Sequence, residues 1–284
     1  EGWSTPIAWS HDGVDEIITS GTSKVVAYSA RTGEERWSAG GLTTAPITLP
    51  VVGDGMLFVS ATYAGSPADP LDIPRWDALV ASYDANKDTH LAVSEVPADQ
   101  GIHLRKDVPK DTPGAFMTWP AIMRYADVNK NGTVTKDEWD TTLAFLKANE
   151  DNVIAVRPGA SGDASSHIAW KADRGIGEMP SPLMYRSRLY FVRNGGMVTS
   201  YETGTGKVVL DRVRLGPLGL YVSSLVAADG RIYAASESGT IRSISKANTV
   251  SAACQPKLSI IATPNGANRN CPNEPAAVPA PSAK

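Results

Sequence analysis

The chain has 284 residues, 42% of them hydrophobic and 20% charged, and its 27 basic and 30 acidic side chains leave a net charge of −3. That composition excludes intrinsic disorder, the lack of an apolar run of about 18 residues excludes a membrane-spanning helix, and the near-neutral balance offers no footprint for nucleic acid or an anionic membrane. The 25 glycines and 20 prolines point to many turns between short strands. A chain that opens on Glu1 with no visible leader reads as a processed form or a portion of a longer product.

Residues 1–63 carry a strand pattern. The segment 12–19, DGVDEIIT, alternates apolar and polar residues and leads through Gly21 into 24–37, KVVAYSARTGEERW. A second copy opens at 45–63, APITLPVVGDGMLFVSATY, and 40 residues separate Pro6 from Pro46, the length of one four-stranded unit. The stretch 27–37, AYSARTGEERW, resembles the A-x-D-x-x-T-G-x-x-x-W signature of quinoprotein-like (PQQ-like) β-propeller repeats, with Ser29 where Asp is usual. The resemblance implies that Thr32 and Gly33 make a tight turn and that Trp37 docks on an adjacent blade.

Between 64 and 152 the alternation stops and acids cluster, with fifteen of the thirty acidic residues falling in 69–151. Two twelve-residue segments stand out, DANKDTHLAVSE at 84–95 and DVNKNGTVTKDE at 127–138. Both fit the EF-hand calcium loop, which takes side-chain oxygens at positions 1, 3 and 5, a carbonyl at 7 and a bidentate Glu at 12. The second loop is complete: Asp127, Asn129, Asn131 and Glu138 supply side chains, Thr133 its carbonyl, Thr135 stands at position 9, and Gly132 occupies the sharp turn at position 6. The first supplies Asp84, Asn86, Asp88, the His90 carbonyl and Glu95, but Thr89 stands where Gly is wanted and Ala92 offers no ligand. Leu91 and Val134, both at position 8, suit a short β contact between the loops. Dockerin-like pairs favour Asp at position 12; Glu95 and Glu138 favour the EF-hand pair.

Helices are expected around the loops. Trp76, Leu79, Val80 and Tyr83 form an apolar face at helical spacing before the first loop; 120–126, with Ile122, Met123 and Tyr125, enters the second; Trp139, Leu143 and Leu146 mark its exit helix. Pro97 cuts the exit helix of the first short, and 98–118 reads as a linker. Three carboxylates on a strained turn and two on a good one place both sites at dissociation constants of about 10⁻⁵ to 10⁻³ M, which favours structural calcium. The Asn131-Gly132-Thr133 sequon reads as a by-product of the loop, since a glycan would consume a ligand.

The strand pattern resumes over 153–246. A third copy spans 181–210, ending on Leu210 where the signature has Trp, and a fourth spans 223–244; 41 residues separate Pro182 from Ser223. From 247 to 284 the composition is that of a flexible tail, in which Cys254 and Cys271 are spaced for a disulfide or stand as free thiols. No catalytic motif occurs, and His11, His90, His103 and His167 are scattered.

The expected fold is mainly β: a β-propeller of four-stranded blades, partial or small, with a helical EF-hand pair inserted in its second blade. About four blades are fewer than such propellers usually have, so open faces need a further part of the ring or a partner. The expected function is a calcium-binding, non-catalytic scaffold that presents loops to another protein, in the bacterial periplasm or outside the cell. Two alternatives are part of a pyrroloquinoline quinone-dependent dehydrogenase, for which no adjacent Cys pair or quinone ligand is found, and a calcium sensor module.

Overall fold

The computed structural model describes residues 2–43, 46–62, 70–106, 108–147, 151–215, 218–245 and 258–260. Cys254 and Cys271, and nearly all of the segment read as a tail, lie outside the described residues. The protein is mainly β, with several small sheets and few helices.

The first sheet runs β1 (Ile7–His11), β2 (Val14–Gly21), β3 (Lys24–Ser29) and β4 (Glu35–Gly40) as an antiparallel meander. The second begins with β5 (Val51–Gly53) and β6 (Met56–Ala61). It is interrupted by α1 (Trp76–Tyr83), β7 (Leu91–Ala92), β8 (Gly101–His103), β9 (Phe116–Thr118), α2 (Trp119–Ala126), β10 (Thr133–Val134) and α3 (Lys136–Lys147). The sheet is completed by β11 (Asn152–Val156) and β13 (Ile168–Ala172), while β12 (Gly162–Asp163) returns to pair in parallel with β4. The third sheet is β14 (Leu183–Met184), β15 (Arg188–Arg193), β16 (Met197–Glu202) and β17 (Val208–Arg214). The fourth is β18 (Val226–Ala228), β19 (Arg231–Ala235), β20 (Ile241–Ser245) and β21 (Leu258–Ile260). The segment 247–284 is therefore not wholly an extension: Leu258 pairs with Ile244 and supplies the last strand of a sheet. A three-residue strand is too short to show a period, which is why composition hid it.

The first hairpin of each sheet turns on two residues with positive φ, as a two-residue turn matched to strand twist requires. These are Asp12-Gly13, Asp54-Gly55 and Asp229-Gly230, with Arg186-Ser187 making the same turn in the third sheet without glycine. Strand alternation then sends successive side chains to opposite faces. In the second sheet Leu57, Val59, Ile154 and Val156 pack on Trp9, Ile18, Val25 and Trp37 of the first, while Phe58, Val153 and Ala155 pack on Leu189, Phe191 and Tyr201 of the third. The other face of the third sheet, with Tyr190, Val192 and Val198, packs on Ile232, Ala234 and Ile244 of the fourth. The sheets thus stack in chain order through three apolar cores.

Trp37 is buried in the first of these cores. Its indole Nε1 donates to Glu16 Oε2 at 3.2 Å, and the buried Glu16 also accepts from Arg36 Nε at 2.8 Å, with His11 Nε2 3.1 Å away. Trp170 anchors the next junction: its Nε1 donates to the Thr203 carbonyl at 2.8 Å, its ring covers Gly206, and the Thr203 hydroxyl donates to Asp54 at 2.6 Å. Tyr201 stacks on Trp170 and donates to the Arg174 carbonyl; burial pushes its phenol up to about 12. No described helix is long and apolar enough to cross a membrane.

Candidate metal centre

The helical insertion leaves the second sheet after β6 and returns at β11, two strands that pair directly, with Ala61 opposite Asn152. At its neck the Thr62 hydroxyl donates to Asp151 Oδ1 at 2.6 Å, both residues buried. The insertion has its own core of Trp76, Leu79, Leu91, Met123, Val134 and Trp139. The spacing of Trp76 and Leu79 buries one side of α1, and Ile122 and Met123 do the same for α2, whose first turn accepts Pro120. Tyr125 of the same helix is half exposed against the ring of Phe145.

The loop 84–95 follows α1, and 127–138 follows α2 and runs into α3. Among the described residues no helix occurs between the first loop and α2. In place of a short exit helix and linker the chain makes turns and the β8–β9 hairpin, with Ile102 opposite Met117. Pro97 lacks the N–H that a continuing helix would need.

The two loops share one hydrogen-bond scheme. Position 1 accepts from the position-6 amide: Thr89 N to Asp84 Oδ2 at 3.0 Å and Gly132 N to Asp127 Oδ2 at 2.9 Å. Position 3 accepts from position 5, with Asp88 N to Asn86 Oδ1 at 2.8 Å and Asn131 N to Asn129 Oδ1 at 2.9 Å. Position 5 accepts from position 7, with His90 N to Asp88 Oδ1 at 2.8 Å and Thr133 N to Asn131 Oδ1 at 2.9 Å. The closing Glu folds back in both: Ala92 N to Glu95 Oε2 at 2.9 Å, and Thr135 N to Glu138 Oε2 at 3.0 Å. The same carboxylates accept from the position-3 amides of Asn86 and Asn129, each at 3.4 Å. Every side chain expected as a ligand therefore accepts a hydrogen bond from a backbone amide of its own loop.

Backbone conformation follows the same plan. Lys87 and Lys130 at position 4 have φ of 60° and 59°, and position 6 has φ 65° at Thr89 and 91° at Gly132. Thr89, a β-branched residue, thus adopts the left-handed conformation that Gly132 reaches without steric cost. The loops are joined by β7 and β10, with Leu91 opposite Val134 and Ala92 opposite Thr133. Both Leu91 and Val134 are buried, so this short contact belongs to the insertion's core.

Oxygen donors dominate the set, which suits a hard cation such as calcium. Glu138 is held below the usual carboxylate range, chiefly by the Thr135 backbone N–H, then by the Thr135 hydroxyl and the Asn129 amide. One oxygen, Asp84 Oδ1, is buried without a hydrogen-bond partner. Other donors are engaged locally, Asn129 Nδ2 to Glu138 Oε1 at 2.8 Å and Asn86 Nδ2 to Asp88 Oδ2 at 3.0 Å. Among the described residues no group of three or more His, Cys, Asp or Glu side chains converges closely enough to hold a metal. The carboxylates of the first loop each face a different backbone amide, and the second loop draws half of its side-chain oxygens from Asn129 and Asn131.

These features define the protein as a stack of four mainly antiparallel sheets carrying a helical insertion with two matched acidic loops. No family model matches the chain. No curated protein matches it. Among solved structures it is similar to BamB from Moraxella catarrhalis, with 13% identity, a TM-score of 0.29 and coverage of 85% of this chain and 60% of that one. It is similar also to the computationally designed Ika8 protein, with 10% identity, a TM-score of 0.29 and coverage of 84% and 57%. The chain spans about 60% of the length of the first of these structures.

Proposed function

We propose that the insertion is an EF-hand-like pair that binds calcium, and that the stacked sheets are blades of a PQQ-like β-propeller whose loops engage another protein in the bacterial periplasm or outside the cell. The carrying observation is the matched hydrogen-bond scheme of the two loops, in which positions 1, 3, 5 and 12 play the same parts although their sequences differ. Asp84, Asn86, Asp88, Glu95 and the His90 carbonyl would hold one ion, and Asp127, Asn129, Asn131, Glu138 and the Thr133 carbonyl a second. A bound ion neutralises carboxylates that otherwise repel one another, so binding and ordering of the insertion are coupled. Calcium here stabilises a scaffold.

Calorimetric titration with calcium tests this reading. Two binding events with dissociation constants of about 10⁻⁵ to 10⁻³ M are expected. Asp127→Ala with Glu138→Gln should remove one of them and leave the β-sheet circular dichroism unchanged. An absence of heat at millimolar calcium ends the proposal. Hydrogen exchange with and without the ion separates scaffold from sensor: protection confined to 70–147 fits structural calcium, and a change spreading into the sheets fits a switch.

A further inference from the structure

The insertion lines a partly open pocket that the two loops do not use. Its walls are apolar: Ile102 and Leu104 come from the β8 side, Ile122 from α2, and Trp139 and Leu143 from α3. It measures about 170 Å³. An apolar cavity of about 150 Å³ stays dry and takes up benzene. This one has the size for a single aromatic ring or a chain of about six carbons, and removing such a group from water is favourable.

The polar groups on its lining are few. Thr142 contributes a hydroxyl, and Glu178, from the segment between β13 and β14, brings the one carboxylate. No hydrogen bond or ion pair engages the half-buried Glu178 among the described residues. Tyr125, half exposed, adds an aromatic face to the same lining. A lone carboxylate beside an apolar void attracts a cation and repels an anion more strongly than it would in open water. The aromatic ring favours the same sign of charge.

We infer that this cavity is a binding site for a small amphiphilic cation, an arylalkyl or short alkyl ammonium whose apolar part enters between the β8–β9 hairpin, α2 and α3 while its ammonium group meets Glu178. The site joins the insertion to the sheet body, because Glu178 belongs to the sheet body and the apolar walls to the insertion. It does not depend on an ion in either loop.

Phenethylammonium and phenylacetate, which share a ring and differ in charge, are the probes. Titration of the full chain, followed by nuclear magnetic resonance of Trp139 and Ile102, should show phenethylammonium binding at least tenfold more tightly than phenylacetate. Glu178→Gln should reduce that preference to less than threefold without loss of fold. Met117→Trp, on the exposed rim of the cavity, should block both probes. Equal binding of the two probes, an unchanged preference in Glu178→Gln, or no perturbation of Trp139 and Ile102 at millimolar probe each overturns the inference.

Discussion

At single positions the backbone decides more than the space around it. A Cβ built on Gly132 would meet nothing within 4 Å, yet its φ of 91° is one that residues with side chains rarely adopt. Gly132→Ala should therefore cost about 1 kcal/mol in spite of the open space, and Thr89→Gly should gain up to about 1 kcal/mol once glycine's greater loss of freedom is subtracted. Thermal melts followed through Trp76 and Trp139 check both signs. Glu138 sets a pH dependence. Its carboxyl is held below its usual 4.5 by amide and hydroxyl donors, so the folded state gains stability from it above about pH 4.5 and loses that gain as pH falls through the lowered value. Without added ions, the melting temperature of the insertion should fall more steeply as pH is lowered below 4.5 in the native chain than in Glu138→Gln. Superimposable curves would contradict the hydrogen-bond assignment.

Among elements, the two-residue contact between β7 and β10 matters beyond its length. Leu91 and Val134 face each other there, and both belong to the core that also holds Trp119, Met123 and Trp139. Leu91→Ala leaves every side chain proposed as a ligand in place but removes buried contacts, at a cost of about 2–4 kcal/mol. It should weaken calcium binding at both loops together, whereas Asp127→Ala with Glu138→Gln should affect chiefly the second; calorimetry of the two variants distinguishes them. The helices show how far periodicity reaches. Trp76 and Leu79 are buried as their spacing predicts, but Tyr125 is not, because a two-turn helix has room for only a narrow apolar stripe. Among the described residues no exit helix follows the first loop before α2, and nothing in 98–118 short of its packing marks the β8–β9 hairpin found there.

For the whole molecule, the point of insertion governs what can be removed. Ala61 and Asn152 are direct partners across β6 and β11, and Thr62 bonds Asp151 at the neck. Replacing 63–150 by a short Asn-Gly hairpin loop should preserve all four sheets, visible as an unchanged β-sheet circular dichroism spectrum and a cooperative melt, and should abolish calcium-dependent fluorescence. A moderate loss of stability is expected, because Arg105 Nη2 donates to the Asn194 carbonyl at 3.0 Å and Val108 packs on Gly195, tying the insertion to the β15–β16 turn. Collapse of the sheets on excision would show that they need the insertion.

Much of this was legible in the chain itself. Oxygen-bearing residues at fixed spacing mark the loops, Asp-Gly pairs mark three of the first hairpins, and alternation marks the strands, because each rests on chemistry confined to a few neighbouring residues. Distant partners decided the rest. The pairing that rebuilds the second sheet joins Ala61 to Asn152, the last strand comes from a segment with the composition of a tail, Trp170 finds its hydrogen bond on the next sheet, and Glu178 reaches a cavity formed by another part of the chain. Such contacts depend on which surfaces meet after the chain has closed its long loops, and no local preference records that outcome.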